Sequence, residues 1–495
     1  MSKPYILALD LGTTGNRAIV FDKKLNVISR EYEEFSQIYP KPGWVEHDPE
    51  EIWRSVQKIL KKIFNKIPLE KIAALGVTNQ RETIVLWDKK TGKPVHNAIV
   101  WQCRRTEPLC AKLRKKGLAP LIHKKTGLML DPYFSASKIN WLLQNVRGAK
   151  SKARQGKLSA GTIDSWIIYK LSDGALHVTD TSNASRTMLF NIHSRAWDGA
   201  LCRIFGVPKR MLPRVVPSSA PAGMVSKRWF GSKIPITGIV GDQQAASFAQ
   251  GVFSPGVIKN TYGTGLFALE NTGKRPRFSE NLLTTVAWSL GSVKKTEYAV
   301  EGSVFIAGAA LQWLRDGLQL FARASETEKI AKAVKNSGDV YFVPALVGLG
   351  APHWDANARG TIVGITRGTT RAHLVRAALE AIAYQTRDIL EVMQQDTKAR
   401  FKVLRVDGGA SANNFLMQFQ ADILRIPVER PKVLETTALG AAGLAGLAVG
   451  FWKNRESFNR LRRVDRFFRP QMKKSAADRL YARWQKAVGR SLGWV

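Results

Sequence analysis

Two segments far apart in the chain, Gly12-Thr13-Thr14-Gly15 and Tyr262-Gly263-Thr264-Gly265, combine glycines with threonine hydroxyls. Such tips expose backbone N–H groups where a larger side chain would block an anion, and the hydroxyls add donors. Asp10 just before the first tip offers a metal-facing carboxylate, and Arg17 just after it offers a cation. One tip alone reads as an ordinary hairpin turn, whereas two copies, one flanked by an acid, point to phosphate binding. The familiar phosphate loops, G-x-x-x-x-G-K-[ST] and G-x-G-x-x-G after a strand, are absent. Asp242 follows the apolar run 236–240 and Gly241, with Gln243 and Gln244 opening an Ala-rich helical stretch. An acid there serves as a helix N-cap, as a proton acceptor, or as both. Arg81-Glu82, an adjacent opposite-charge pair between Asn79-Gln80 and an apolar run, marks a polar cavity. Trp101 and Tyr133, taken alone, read as core aromatics.

The elements that must hold these groups are legible as α/β in both halves. The opening stretch reads as a meander of three strands whose first turn is the Gly-Thr-Thr-Gly tip, and residues 256–273 repeat the design, so the chain looks internally duplicated. A helix is expected over 49–64, where Ile52, Val56, Ile59, Leu60 and Ile63 recur at helical spacing behind Asp48 as N-cap. Strands follow at 72–78 and 83–87, a long helix at 371–394, and a buried strand at 403–406. The uncharged Ala/Gly stretch 436–452 is marginal for a membrane span and reads as a tightly packed interior helix. A chain of 495 residues favours two domains, divided here into 1–249 and 250–495. No Pro- or Ser-rich linker separates them, which suggests a cleft that closes on a hinge.

The D-x-G-T-T tip, the Y-G-T-G tip and D-G-G-A-x-x-N-N at 407–414 resemble the actin-like ATPase superfamily, and within it the FGGY carbohydrate kinases. The strings YPKPGWVEHDPEEIW, GVTNQRET, AIVWQCRRT, DPYFSASKINWLL, NASRTMLFNI, GIVGDQQAA, KNTYGTG and RVDGGASANNFLMQFQADIL are similar to the members that phosphorylate glycerol. The resemblance implies two actin-like (ribonuclease H-like) domains flanking a catalytic cleft, with the polyol site and first tip in one and the adenosine site in the other. It also implies ATP and Mg²⁺ as cofactors, and a homodimer or homotetramer. On this resemblance Asp242 is the general base, and Arg81, Glu82, Trp101, Tyr133, Asp242, Gln243 and Phe267 surround the polyol. Thr13, Thr14, Gly15, Arg17 and Thr264 contact phosphates, Gly308, Gln312, Gly409 and Asn413 complete the nucleotide site, and Asp10 with Asp242 holds the metal. Rival readings are a family kinase for another polyol or a ketose, and an actin-like nucleotide-dependent protein that grips a polyanion.

Two departures from the family pattern stand out. Leu11 replaces a Gln, and Gly15-Asn16 replace two serines at the first tip, which removes a hydroxyl donor. Many bacterial members carry a Gly-Gly-Lys-Gly-Gly-Thr-Arg loop for fructose 1,6-bisphosphate; here residues 226–233 are shorter and lack the glycine nest. Inhibition by that sugar bisphosphate is therefore expected to be weak or absent. The formal charge of +37 would attract polyanions non-specifically, but the excess is spread along the chain without a nucleic-acid motif. Cys103, Cys110 and Cys202 form no C-x-x-C pair, and the start of the chain lacks a signal-peptide pattern, which together fit reduced thiols in a cytoplasmic protein.

Overall fold

The structure, a computed structural model, describes residues 3–495. The first sheet is built from β1 (Tyr5–Leu11), β2 (Gly15–Asp22), β3 (Val27–Glu34), β4 (Ile72–Asn79), β5 (Ser219–Met224) and β6 (Pro235–Gly241), in the order β5-β6-β4-β1-β2-β3. The meander pairs antiparallel, and β1, β4 and β6 run parallel. β1 and β4 are buried almost throughout, as the continuous apolar runs of a sheet covered on both faces require.

The second sheet comprises β7 (Val257–Tyr262), β8 (Leu266–Gly273), β9 (Leu283–Ser289), β10 (Thr296–Val304), β11 (Val403–Asp407), β12 (Val428–Pro431) and β13 (Val464–Phe468). Its order is β9-β10-β8-β7-β11-β12-β13. Its inner five strands repeat the first sheet: β7, β8 and β10 form an antiparallel meander, and β7, β11 and β12 run parallel. The duplication read from the two tips is thus a duplication of topology.

Helix α1 (Pro49–Lys66) buries Ile52, Val56, Ile59, Leu60 and Ile63, and the Glu50 N–H donates to the Asp48 cap at 2.8 Å. Helices α2 (Asp242–Ala249) and α5 (Thr436–Ala448) occupy equivalent places, each following the last parallel strand of its repeat, and they pack on each other between the sheets. α5 also lies on β1, β4 and β6 of the other sheet. Its composition follows from that approach. A Cβ on Gly440 would stand 1.8 Å from the Ala245 carbonyl oxygen, and one on Gly76 of β4 would stand 2.2 Å from that of Ala441. Ser219 and Thr237 donate to the Leu444 and Ala445 carbonyls at 2.7 and 3.0 Å, tying the helix to the first sheet. The helix stops before the expected 452, because Gly450 turns left-handed at φ +71°. Helix α3 (Gly308–Asp316) follows β10, and helix α4 (Arg371–Thr397) runs one turn beyond the expected 394. Among the described residues no helix is long and apolar enough to cross a membrane.

Candidate active site

The turn after β4 carries Arg81 and Glu82 into the space between the sheets. Gln80 fastens this turn to the first tip, its N–H donating to the Leu11 carbonyl at 2.7 Å and its side-chain amide to that of Gly12 at 2.9 Å. Glu82 adopts φ +61°, a conformation costly for a non-glycine residue and concentrated at functional sites. A cavity of about 170 Å³ opens here, and its wall contains Arg81, Glu82, Trp101, Tyr133, Asp242, Gln243 and Phe267. Every residue expected at the polyol site is therefore in one place. Trp101 and Tyr133, which read alone as core aromatics, both face this cavity, with ring centroids 5.8 Å apart.

Asp242 begins α2 and is partly open to the cleft, its side chain 28% exposed. Its Oδ1 lies 3.2 Å from Arg81 Nε and accepts the Gln243 N–H at 2.7 Å; its Oδ2 accepts from Gln243 Nε2 at 3.1 Å. The N-cap is Gly241, not Asp242. A carboxylate one residue inside the helix takes the Gln243 N–H of its own first turn and keeps part of its surface open to the cleft.

Behind this wall lies a network that the sequence reading missed. Glu301 of β10 accepts two bonds from Arg81, at 2.6 and 2.8 Å, and one from Arg186 at 3.0 Å; Arg186 also donates to Glu82 at 2.6 Å. Burial raises the pKa of Glu301, but Arg186 and Arg81 outweigh burial and hold it at about 2. Lys259 of β7 donates to Gln243 at 2.5 Å. Three cations, Arg81, Arg186 and Lys259, thus balance three carboxylates, Glu82, Glu301 and Asp242, around a cavity suited to a neutral ligand with hydroxyls. Glu301 carried one signal: it is a lone charge inside the strand pattern YAVEGSVF.

A second cavity of about 470 Å³ meets the first at Gly263 and Thr264, which line both. Gly308, Gln312, Gly409 and Asn413 are on its wall, with Leu311, Phe321 and Leu379 as apolar surface. Asn413 also caps the helix Asn414–Leu424, accepting the Leu416 N–H at 2.9 Å. Of the phosphate residues expected at the first tip, Thr13 alone lines either of these two cavities, and its hydroxyl accepts from the Trp101 indole at 3.1 Å. Thr14 and Arg17 are exposed beside it, Arg17 lying 3.4 Å from Asp10. Gly15 is buried in β2, and Asn16 turns inward to donate to Ser55 on α1 at 2.5 Å. The departure from the two serines therefore serves packing at Asn16.

Burial, reinforced by Asp242 and partly offset by Arg17, raises the Asp10 carboxyl to about 6. A buried acid made costly to ionise, facing a second acid, is a fitting donor for Mg²⁺, which takes one or two carboxylates and substrate phosphates. The larger cavity would suit a nucleotide, with glycines where backbone must approach closely: a Cβ on Gly308 would stand 2.6 Å from the Gly263 carbonyl oxygen.

Two duplicated sheets, a cleft between them and paired Gly-Thr tips define the actin-like kinase architecture. The models of the FGGY family of carbohydrate kinases match it in two parts, the N-terminal domain over residues 5–249 and the C-terminal domain over 258–449. The chain is a member of the FGGY family of carbohydrate kinases. It is 58% identical over 493 residues to glycerol kinase 2 of Thermotoga maritima, covering 99% of each chain. It is also 58% identical to a glycerol kinase of Pseudothermotoga lettingae over 498 residues, covering 100% of both. Among solved structures it is similar to Plasmodium falciparum glycerol kinase with ADP, with a TM-score of 0.90, 39% identity, and 99% and 98% of the two chains covered. A xylulose kinase of Lactobacillus acidophilus shares the fold at 24% identity, with a TM-score of 0.86 and 98% and 96% coverage.

Proposed function

We propose that this chain phosphorylates glycerol with ATP, forming sn-glycerol 3-phosphate and ADP, with Asp242 as general base. The observation that carries the proposal is the meeting of the two cavities at Gly263 and Thr264, with Asp242 on the wall of the smaller one. The identities to glycerol kinases over the whole chain support the same substrate.

Glycerol occupies the smaller cavity, its carbons against Trp101 and Phe267 and its hydroxyls toward Arg81, Glu82, Tyr133 and Gln243. Asp242 takes the proton of the terminal hydroxyl as the new O–P bond forms; the bond from the γ-phosphorus to the β,γ-bridging oxygen breaks and ADP leaves. Thr13, Thr14, Arg17 and Thr264 face the phosphates, Gly15 shaping the first tip from within β2, and the cavity of Gly308, Gln312, Gly409 and Asn413 takes the adenosine. Asp10, and Asp242 through water, would hold Mg²⁺, which when bound neutralises charge on the transferring phosphoryl group. Trp101 screens the first tip and the acceptor from water. We assign the chain a cytoplasmic place at the entry of glycerol catabolism, as a homodimer or homotetramer measurable by light scattering.

A coupled ADP-release assay across glycerol, dihydroxyacetone, glyceraldehyde, xylulose and gluconate tests the substrate. Glycerol is expected to give the highest kcat/KM; preference for xylulose or gluconate would assign the chain to another branch of the family.

A further inference from the structure

Both groups that orient Asp242 are themselves held from the opposite sheet. Arg81 and Gln243 belong to the first repeat and contact the Asp242 carboxylate directly. Behind Arg81 stands Glu301, on β10 of the second sheet; behind Gln243 stands Lys259, on β7 of the same sheet. Glu301 and Lys259 are fully buried, and neither lines the polyol cavity. Two ionised side chains taken out of water in this way carry a large desolvation penalty, and apolar residues of similar size would hold the sheets together at lower cost. What apolar residues cannot do is fix the direction of a guanidinium or a carboxamide. Glu301 grips Arg81 with both oxygens, which sets the plane of the guanidinium and hence the direction of Nε toward Asp242. Lys259 takes the amide oxygen of Gln243, which leaves the amide nitrogen turned to Asp242 Oδ2. Burial depresses Lys259 to about 8, while Asp407 and Asp242 favour its charged form.

We propose that Glu301 and Lys259 are positioning residues that set the orientation of Asp242 by clamping Arg81 and Gln243 from the second domain, so that the acceptor site is complete only when the two sheets are apposed. This rests on Asp242 acting as the base. The arrangement lets domain apposition, which brings the two phosphate tips together, also aim the base at the hydroxyl.

The test is a double-mutant cycle on the full chain with glycerol and ATP. Glu301→Gln and Lys259→Met are each expected to lower kcat about 10- to 100-fold, as misplacement of a catalytic group does, with the Kd for ADP within about twofold of the parent. In the Asp242→Asn background the same substitutions should lower kcat little further, because their effect passes through the residue already disabled. Losses that multiply in the double variants, or unchanged kcat in both single variants, would overturn the positioning role and leave the base intact. Unchanged kcat in Asp242→Asn alone would remove the base, and the positioning role with it. Should Glu301→Gln fail to fold by its thermal melt, the Lys259 arm of the cycle decides the matter, since it reaches Asp242 through a different partner.

Discussion

The two cavities that meet at Gly263 and Thr264 are built on opposite plans. The smaller is ringed by ionised side chains, most of them buried and each paired; the larger is lined by glycines, apolar side chains and backbone, and its charges, Arg315 and Glu328, pair with neighbours at Asp316 and Lys332. A small neutral triol offers only hydroxyls, so its site gains discrimination from rigidly oriented donors and acceptors, whose unmet partners penalise a wrong ligand. A nucleotide offers a flat base and a charged tail, which shape and exposed N–H groups can hold.

The largest expected effect breaks the smaller site alone. Asp242→Asn should lower kcat by about 10²- to 10⁴-fold while the Kd for ADP stays unchanged, measured by steady-state assay and calorimetry. A variant that lost ADP binding equally would erase the division between the cavities.

Asp10 stands at their junction, and its charge has a stability consequence. Its carboxyl binds a proton more tightly when folded, at about 6, than at its ordinary value of 3.8. Between those values the native state holds a proton that the unfolded chain releases, and above about 6 the ionised group is a net destabiliser. Asp10→Asn should therefore stabilise the metal-free protein by about 2–3 kcal/mol at pH 7 to 8 in urea unfolding, with the difference vanishing below about pH 4, while Mg²⁺-dependent turnover falls. An equal effect at both pH values would remove this account.

A smaller effect isolates the larger cavity. In Gly308→Val the new Cβ would meet the Gly263 carbonyl oxygen at 2.6 Å and push the second tip. Overpacking of about 1–3 kcal/mol should raise the KM for ATP roughly 10- to 100-fold, with the KM for glycerol changed far less. The smallest effect concerns the short helix Lys227–Phe230, where many bacterial relatives have a glycine-rich effector loop. Trp229 and Phe230 pack edge-on against Trp53 and Phe64 of α1, and Arg228 pairs with Asp173 at 2.9 Å. Fructose 1,6-bisphosphate should inhibit weakly or not at all; submicromolar inhibition would show that another surface has taken over the role.

Much of this was legible in the residues because it is local. The meander strands, the Gly-Thr tips, the Asp48 cap of α1 and the Ala/Gly character of α5 are patterns a few residues long, and each matches a named element. The residues expected around the polyol share one cavity, but they were named through family resemblance, since nothing local distinguishes Trp101 or Tyr133 from core aromatics. Local reasoning failed at Asp242, where an N-cap was a fair reading and Gly241 takes that place instead. Local reasoning also gave no place for the Asn16 side chain, which faces α1. Arg186 and Glu301 were missed because their partners lie far away in sequence, Glu301 meeting Arg81 across 220 positions; Lys259 meets Gln243 only 16 positions away, but from a strand of the other sheet.

The sequence by itself determined the α/β class, the duplicated tips and the acids and hydroxyls able to handle a phosphate, because strand periodicity and turn chemistry act over a few neighbouring residues. Only the tertiary structure decided which charges face which. The energy of a buried ion depends on the partners that replace its water, and at Asp242 those partners and their anchors are gathered from both sheets.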